Sequence, residues 1–415
     1  MISTINIFEY LKTIFFIILF AWISFFPAPI QEKYHLFTNV FLMLVFIILW
    51  VRKRNPIFKL SDYPLWIFLA AISINIFFAQ QTNIALKTYL NVAIPLFFIY
   101  YLISEDFSSM KKFNLLARTV CISSILVSMV GILEFLFAFN PVYEYFLKNP
   151  YYLRFISCPV RPMSTQFNPT PLGGYLVGCI PFSYLLYRRD TSFFKLLGAT
   201  GVILNTIVII LTSSRCGFLG LMSVIAFYLF AQRRYRYFCI FITVLLISMF
   251  VFSYLPFPFR RFGINKFIKQ GVLFKPRIER MNMALHMLKD HPLAGLGFQH
   301  FRIQFYDYSV QKDKIPYEFR IADNMYLTII SETGIIGFLG FFTLVSSFLK
   351  RGWKHLRKLD FGSEQRWQLL VSLMAFIGLL VNMAGYEFFY WPNQYLLFCM
   401  VVGCLAAFSV DRRNA

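Results

Sequence analysis

Long apolar runs separated by short polar connections make up most of the chain. Each run approaches the ~20 residues that a helix needs to cross a bilayer, and most charged residues fall in the connections. The pattern therefore predicts about twelve transmembrane helices. The clearest runs, followed by the weaker ones, are residues 13–26, 39–51, 122–139, 196–212, 238–255, 334–349 and 369–383, and residues 63–79, 88–103, 171–187, 217–231 and 392–408.

The composition supports the same class of protein. Of the 415 residues, 58% are hydrophobic, 20% aromatic and only 14% charged, and the mean hydropathy is +0.62. Soluble domains carry roughly 25% charged residues, so we predict an all-α integral membrane protein. No small-residue cleavage site follows the run at residues 13–26, and we expect a retained first helix there rather than a signal peptide.

The net charge of +21 raises the alternative of a nucleic-acid partner. The basic residues instead cluster in every second short connection, which is the distribution that the positive-inside rule produces. This alternation predicts that both termini are cytoplasmic and argues against nucleic acid. The clusters are residues 52–54, 188–189, 233–236, 350–358 and 412–413.

The seven cysteines and five histidines are scattered, without a CxxC pair or an HExxH-type spacing. Cysteines inside apolar runs behave as small apolar residues. We therefore expect no metal site, no disulfide framework and no cofactor.

Four connections fall on the external side in this orientation: residues 140–169, 213–216, 257–323 and 386–393. Only 257–323, between spans nine and ten, is large, and it holds twelve Lys/Arg and six Asp/Glu. A basic external domain suits an anionic ligand. We expect three parts: a transmembrane bundle of about nine helices (1–256), a large periplasmic loop domain (257–323) and about three C-terminal helices (324–415).

Within the loop domain, Pro276 and Pro292 bracket a predicted amphipathic helix. Arg277 and Arg280 lie one turn apart at its predicted start. The HPLAGLG stretch at 291–297 that follows is typical of a tight, glycine-bearing turn. The apolar residues that recur at helical spacing, and so define the predicted apolar face, are Met281, Ala284, Leu285 and Leu288.

The stretch LTSSRCGFLGL (211–221) places a single charge, Arg215, between two apolar runs. A headgroup anchor is the simpler interpretation, but short external turns avoid Lys and Arg. A guanidinium beside the hydroxyls of Ser213 and Ser214 can instead bind phosphate oxygens in bidentate fashion. We therefore predict that Arg215 binds an anionic group.

Three further arginines share the predicted external face. Arg161 begins RPMSTQFNPTPLGGYL (161–176), which also fits an ordinary loop-to-helix junction with a turn at Asn168 and paired glycines for close helix packing. Arg277 and Arg280 are equally consistent with solvated charges on a surface helix. Four arginines on one face nevertheless favour an anion site more than any one of them alone.

Asp323 precedes the tenth predicted span, within ADNMYLTIISETGIIGF (322–338). Two interpretations stay open: an N-cap of that helix, or a carboxylate that accepts a proton from a sugar hydroxyl. Other acidic residues lie within or at the ends of spans, where ionisable groups are functional candidates by default, although Glu332 could also pair structurally with a neighbouring helix. These residues are Glu134, Glu332 and Glu387.

These motifs, in this order, resemble the O-antigen ligase / O-antigen polymerase family of bacterial membrane glycosyltransferases. TSSRCG (212–217) is similar to the family's T-x-S-R-x-G element, and RPMSTQFNPTPLGGYL to its Arg-to-Asn-Pro loop. RIERMNMALHMLKDHPLAGLGFQHF (277–301) resembles its R-x-x-x-W-x-x-A-L…P-x-x-G-x-G-x-x-x-F segment, and ADNMYLTIISETGIIG its H/D-N-x-Y-L…E-x-G-x-x-G segment. The motif likeness covers residues of about 160 to 340, and the likeness in helix count and loop placement covers nearly the whole chain.

The resemblance implies a GT-C-like, inverting, metal-independent glycosyltransferase of the bacterial inner membrane with a periplasmic active site. Its donor would be a glycan on undecaprenyl diphosphate and its acceptor a glycan or lipid A core. Other polysaccharide-assembly membrane proteins are allowed as partners. Asp323 and Arg215 would be catalytic, and the residues expected to bind the diphosphate or glycan are Arg161, Arg277, Arg280, Asn324 and Tyr326.

Two residues depart from the family pattern. Met281 stands where the family usually has a tryptophan, and Asp323 stands where ligases that act on lipid A core carry a histidine as the proposed base. A carboxylate is more typical of the polymerase and exopolysaccharide branches, so we expect a polymerase of undecaprenyl-diphosphate-linked repeat units, with an O-antigen ligase as the alternative. A transporter of lipid-linked oligosaccharides, from a different class, would be expected to show internal repeats and charges near the midplane, and the sequence indicates neither.

Overall fold

The computed structural model of the chain describes residues 62–106, 109–140, 161–166, 168–251, 271–309 and 320–409, together with the isolated positions 39, 40, 42, 43, 142 and 254. These residues form helices joined mostly by short connections. The long helices are α1 (Tyr63–Phe78), α2 (Thr82–Asp106), α3 (Met110–Phe137), α4 (Pro169–Arg189), α5 (Ser192–Leu211), α6 (Arg215–Ala231), α7 (Tyr235–Val251), α8 (Gly271–Asp290), α9 (Met325–Lys358), α10 (Glu364–Met383) and α11 (Pro392–Ser409).

Ten of the predicted spans coincide with helices α1 to α7 and α9 to α11. Among the described residues, α2, α3, α5, α9 and α10 are long and apolar enough to cross a membrane, and α1, α6, α7 and α11 are shorter apolar helices. The predicted span at 13–26 lies outside the described residues, as does most of 39–51, of which the four described positions are helical. An α-helical membrane protein is thereby confirmed, whereas the total of twelve spans stays a prediction.

Helices joined by a short connection run in opposite directions, so these connections gather at two ends of the bundle. One end, which we call the site end, carries the connections 79–81, 212–214 and 384–391. The opposite end carries the connections 190–191 and 359–363, next to the basic clusters. There Arg118 bonds both carboxylate oxygens of Asp190 at 2.7 and 2.8 Å, and the Arg118 guanidinium holds the pKa of Asp190 below its usual value.

Helices α4, α6 and α10 meet at glycines near the site end. A side chain at Gly173 of α4 would place its Cβ 3.3 Å from the Cα of Gly217 of α6. At Gly174 a Cβ would lie 2.6 Å from the Tyr386 hydroxyl and would also strike the Asn382 side chain. Small residues let membrane helices pack with their backbones close together, and the predicted packing role of this glycine pair is therefore confirmed.

Helix α9 is interrupted at Gly334, whose φ of 65° and ψ of −169° are not helical. The loop 291–298 fills the interruption, and each side of the break bonds to it. The bonds are Leu296 N to Ser331 O (3.1 Å), Gly297 N to Glu332 O (2.9 Å), Ile335 N to Pro292 O (2.9 Å) and Ile336 N to Leu293 O (3.2 Å). Because backbone polar groups at membrane depth must find partners, this loop is an integral part of the bundle.

Asn75 of α1 holds the same loop from the other side. Its Nδ2 donates to the carbonyl oxygens of Ala294 and Glu332, both at 2.6 Å, and its Oδ1 accepts a hydrogen bond from the amide of Phe298 at 3.0 Å. One buried amide thus connects α1, the loop and the broken turn of α9. The loop has the conformation of a tight turn, as predicted, but it is anchored inside the protein.

The structure corrects two predictions about α8. The described helix runs from Gly271 to Asp290, so Pro276 lies inside it and does not start it. The apolar face is also different: Met281 and Leu285 are 42% and 46% exposed. The residues that pack against the bundle are Met283, Ala284 and Met287, in a cluster with Leu296, Phe301, Phe305 and Ala322.

The error over the α8 face has a simple cause. Met281/Leu285 and Met283/Met287 are both spaced at one helical turn and both share Ala284 as a neighbour, so periodicity cannot choose between the two stripes. Tertiary packing selects the second stripe. Since Arg280 precedes Met283 and Ala284 by one turn, this choice turns Arg280 toward the bundle.

Candidate active site

Asp323 lies between residues 320–322 and the first turn of α9, at the site end. It has a left-handed backbone conformation, with φ of 54°, which is uncommon for residues other than glycine and several-fold enriched for Asp and Asn. Its carboxylate forms a close ion pair with the Nη1 of Arg280, and the Nε of Arg277 is 4.0 Å from the same oxygen. The side chains of Asp323 and Arg280 are 21% and 20% exposed, so a ligand can reach the pair.

The N-cap interpretation of Asp323 was wrong. Asn324 caps α9, because its Oδ1 accepts hydrogen bonds from Tyr326 N at 2.9 Å and Leu327 N at 3.3 Å. The cap position needs an extended backbone, which Asn324 has, with φ of −161°. The left-handed backbone of Asp323 instead directs its carboxylate to α8.

The α5–α6 turn has a defined geometry around Arg215. Ser213 has a positive φ of 51°, and the Ser214 hydroxyl caps α6 by accepting a bond from Gly217 N at 3.2 Å. Arg215 is the first residue of α6 and is partly exposed. Arg161 reaches the same turn, since its Nε donates to the carbonyl of Thr212 at 2.8 Å. The helix start adds its own partial positive charge to this arginine pair.

The two arginine groups belong to one region of the molecule. A Cβ at Gly385, in the turn 384–391, would strike the Sγ of Cys216, the second residue of α6, and Glu387 of the same turn accepts a hydrogen bond from the amide of Ala322, next to Asp323. The fold therefore brings the α5–α6 turn, the inward flank of α8 and the start of α9 together. Of the residues predicted for substrate contact, Asn324 serves as the cap and the Tyr326 hydroxyl donates to Leu380 O of α10 at 2.7 Å, so both hold α9 in place.

Glu134, near the end of α3, organises the loop that carries Arg161. Its Oε2 accepts hydrogen bonds from Met163 N at 2.9 Å, Ser164 N at 2.7 Å and the Nδ2 of Asn140 at 3.0 Å. Ser164 has a positive φ of 49°. This buried carboxylate thus accepts hydrogen bonds from backbone amides of the turn formed by residues 161–166.

A second group of charged residues is buried beside Asp323. The Nη2 of Arg302 donates to the Oε2 of Glu387 at 2.7 Å, and the Tyr390 hydroxyl contacts the carboxylate of Glu332. The other Glu332 oxygen accepts from Phe301 N at 3.2 Å. Burial raises the pKa of Glu387, and Arg302 opposes that rise. Glu332 therefore has a bonding partner on a neighbouring element, as one of its two sequence interpretations allowed.

Sequence reasoning missed the part of Arg302, Tyr390 and His300 in this region. Arg302 was one of twelve basic residues in the predicted loop 257–323, and its neighbours in the sequence did not distinguish it from the others. His300 is fully buried: its Nε2 accepts from Gln81 N at 3.0 Å, and its Nδ1 lies 2.9 Å from Phe298 O. That arrangement requires a neutral ring with the proton on Nδ1, and burial lowers the pKa of His300. The partners of these side chains are remote in sequence, so a local pattern carries no signal of them.

The site end thus carries Arg161, Arg215, Arg277 and Arg280 together with the partly exposed carboxylate of Asp323. Such an arrangement can bind a multivalent anion such as a diphosphate through charge-assisted, bidentate hydrogen bonds. The accessible carboxylate can take up a proton from a bound hydroxyl. The fold and the site together define an α-helical membrane protein with a basic site at one end of its helix bundle.

Comparison with known families agrees with this class. Residues 200–342 match the family model described as O-antigen ligase. Over this segment the chain is similar to the O-antigen ligase family, which confirms the resemblance seen in the motifs and supports a membrane protein that handles glycans. A search of curated proteins returned no match to the chain. The matched segment contains Arg215, Arg277, Arg280 and Asp323, whereas Arg161 and Glu387 lie outside it.

Proposed function

We propose that the protein is a membrane glycosyltransferase that polymerises repeat units linked to undecaprenyl diphosphate, at the periplasmic face of the inner membrane. The observation that carries the proposal is that Arg277 and Arg280 face the carboxylate of Asp323 at the same end of the bundle where Arg161 bonds to the turn that precedes Arg215. The matched O-antigen ligase segment supports the class of reaction.

In the proposed reaction the acceptor hydroxyl attacks the anomeric carbon of the donor glycan, and the bond between that carbon and the diphosphate oxygen breaks. The proton of the hydroxyl passes to the carboxylate of Asp323. The electron pair of the broken bond leaves with the lipid diphosphate. Attack from the face opposite the leaving group inverts the anomeric configuration.

Each arginine has a place in this scheme. Negative charge concentrates on the diphosphate as it departs, and cations held in advance near that position lower the barrier. Arg215, at the start of α6, and Arg161, bonded to the preceding turn, would hold the diphosphate. Arg280 would orient the Asp323 carboxylate, with Arg277 close enough to serve either group.

An O-antigen ligase is the second candidate, because the description of the matched family is that of a ligase. The chemistry at the donor is the same in both enzymes, and only the acceptor differs. Asp323 in place of the histidine of the lipid A core ligases favours the polymerase.

The break in α9 is a feature that lipid-linked oligosaccharide transporters could share, since discontinuous helices form their substrate sites. Here the backbone groups at the break are bonded to the loop 291–298 and to Asn75. The break in α9 is therefore filled by the protein's own loop 291–298 and by Asn75. The charged groups of the proposed site lie at the site end of the bundle rather than at the break in α9, which favours an enzyme over a transporter.

The test uses cells in which the gene is deleted and replaced by variants of matched expression. Arg215→Ala and Asp323→Asn are expected to abolish polymer while the protein still inserts in the membrane. Arg236→Ala, an exposed arginine at the opposite end, is the matched control and should preserve polymer length. Normal polymer in the Arg215→Ala and Asp323→Asn cells would refute the proposed site.

A gel of surface glycans then separates the candidates. Loss of the ladder with one repeat unit still attached to core indicates a polymerase. Loss of all polymer from lipid A core, with long chains on the carrier lipid, indicates a ligase. Accumulation of single lipid-linked units that remain on the cytoplasmic face would indicate a transporter and would contradict the proposal.

A further inference from the structure

The turn 384–391 between α10 and α11 holds a buried carboxylate that the proposed reaction does not use. Glu387 is 0% exposed, and each of its oxygens has its own partner. Oε2 accepts from the Arg302 guanidinium at 2.7 Å, and Oε1 accepts from the amide of Ala322 at 3.3 Å. Ala322 directly precedes Asp323, so the second bond acts on the backbone that carries the proposed base.

The same turn also forms a hydrogen bond on the C-terminal side of Asp323, to Met325. The amide of Phe389 donates to the Sδ of Met325 at 3.3 Å, and Asn324 is held by its own capping bonds. The two residues that flank Asp323–Asn324 are therefore both fastened to the 384–391 turn. This matters because a non-glycine residue at a positive φ, such as Asp323 with φ of 54°, keeps that conformation only where its surroundings enforce it.

The positive charge of Arg302 offsets the cost of burying the carboxylate of Glu387. Its guanidinium carbon lies 5.8 Å from the centre of the Tyr390 ring, and the Tyr390 hydroxyl accepts from the amide of Gln299 at 3.2 Å. A buried ion pair is often no more stabilising than a well-packed apolar pair of the same volume. Stability alone therefore does not account for placing an acid and a base beside Ala322, whereas the fixing of one backbone conformation does.

We propose that Glu387, with Arg302 as its counter-ion, is a positioning residue that holds the carboxylate of Asp323 in its reactive orientation beside Arg280. The inference rests on the proposed function, since it requires Asp323 to act in the reaction. Glu387 acts through the backbone of Ala322 and does not touch the substrate. Its loss should slow the chemical step and leave donor binding by the arginines nearly unchanged.

The test measures kcat and the KM for the donor with purified protein in nanodiscs and polyprenyl-diphosphate-linked repeat units extracted from the same cells. Glu387→Ala removes both bonds, and its kcat per folded protein should fall by about 100-fold, while Glu387→Gln keeps an acceptor for Ala322 and should lose about tenfold. The donor KM should stay within about threefold of the wild-type value in both, since a group that acts only on the chemical step leaves ground-state binding intact.

Asp190→Asn is the matched control, because it breaks the Arg118–Asp190 pair at the opposite end. It should lower stability without changing kcat per folded protein. A kcat of Glu387→Gln equal to that of the wild type would overturn the inference, and so would a donor KM that rises as much as kcat falls. If Glu387→Ala does not fold, the isosteric Glu387→Gln decides alone.

Failure of this inference is distinct from failure of the proposed function. If Asp323→Asn is inactive and the Glu387 variants keep the wild-type kcat, the proposed site stands and only the positioning role is lost. If Asp323→Asn is fully active, the proposed base is wrong and the positioning role is lost with it.

Discussion

Replacing Gly295 by alanine tests whether the loop 291–298 is an integral part of the bundle. Gly295 has a φ of 70°, and a Cβ there would strike the backbone of Glu332 and the amide of Gly334. The contact atoms are backbone atoms that α9 holds in place, so a side-chain rotation cannot relieve the overlap. Gly362, at the opposite end, has no atom within 4 Å of the position that a methyl group would take, which makes Gly362→Ala the matched control.

Two separable effects set the magnitude. A left-handed conformation costs a residue with a Cβ about 1–2 kcal/mol, and overpacking of a filled interior costs typically about 1–3 kcal/mol. Together they amount to about 2–5 kcal/mol, which raises the equilibrium constant for release of the loop by roughly 30- to 4,000-fold. Gly362→Ala should produce neither effect.

Hydrogen–deuterium exchange of the purified protein reads this equilibrium directly. The amides of Leu296 and Gly297 are bonded to α9 carbonyls, and their exchange should accelerate by the factor given above if exchange follows local opening. Peptides from the opposite end should be unaffected. Exchange of residues 291–298 at the wild-type rate in Gly295→Ala would refute the reasoning, because it would show that the break in α9 does not hold the loop.

Further predictions concern stability. Burial lowers the pKa of His300 and its Nε2 accepts a hydrogen bond from Gln81 N, so the folded protein holds the ring in its neutral form. The contribution of neutral His300 to folding stability is complete above the ordinary histidine pKa of ~6.5 and is lost as the pH falls through the lowered pKa. The thermal midpoint in detergent should therefore fall on acidification, with a shallower fall in His300→Gln; parallel pH curves would contradict this. Gly174→Ala should destabilise the folded state by about 1–3 kcal/mol through overpacking, because the added Cβ would contact Asn382 and Tyr386. The thermal midpoint should fall accordingly, and a midpoint equal to that of the wild type would show that the helices move apart freely.

Much of the fold follows from local pattern. Hydropathy located ten helices that the structure describes, and the alternation of basic connections placed residues 188–189 and 233–236 at the same end. The anomalous position of Arg215 in the sequence also pointed to the end where it is found. These features are predictable because burial in a bilayer and the 3.6-residue helical period act on neighbouring positions along the chain.

The errors and omissions share a different origin. Periodicity allowed two faces of α8, and only contact with Phe301 and Phe305 selected the one that directs Arg280 to Asp323. Capping propensity did not separate Asp323 from Asn324, because both side chains can cap and the choice depends on which backbone is extended. In each case the sequence offered equivalent local solutions.

The sequence by itself determined that this is a helical membrane protein, and its motifs indicated the glycan-handling family. Only the tertiary structure decided how the site is held together. The Arg302–Glu387 pair joins positions 85 residues apart, and Asn75 meets the loop 291–298 across 219 and 223 residues. Hydrophobic burial depends on each residue's own character, whereas the partner of a buried polar group is set by which distant segments the fold brings within hydrogen-bond distance.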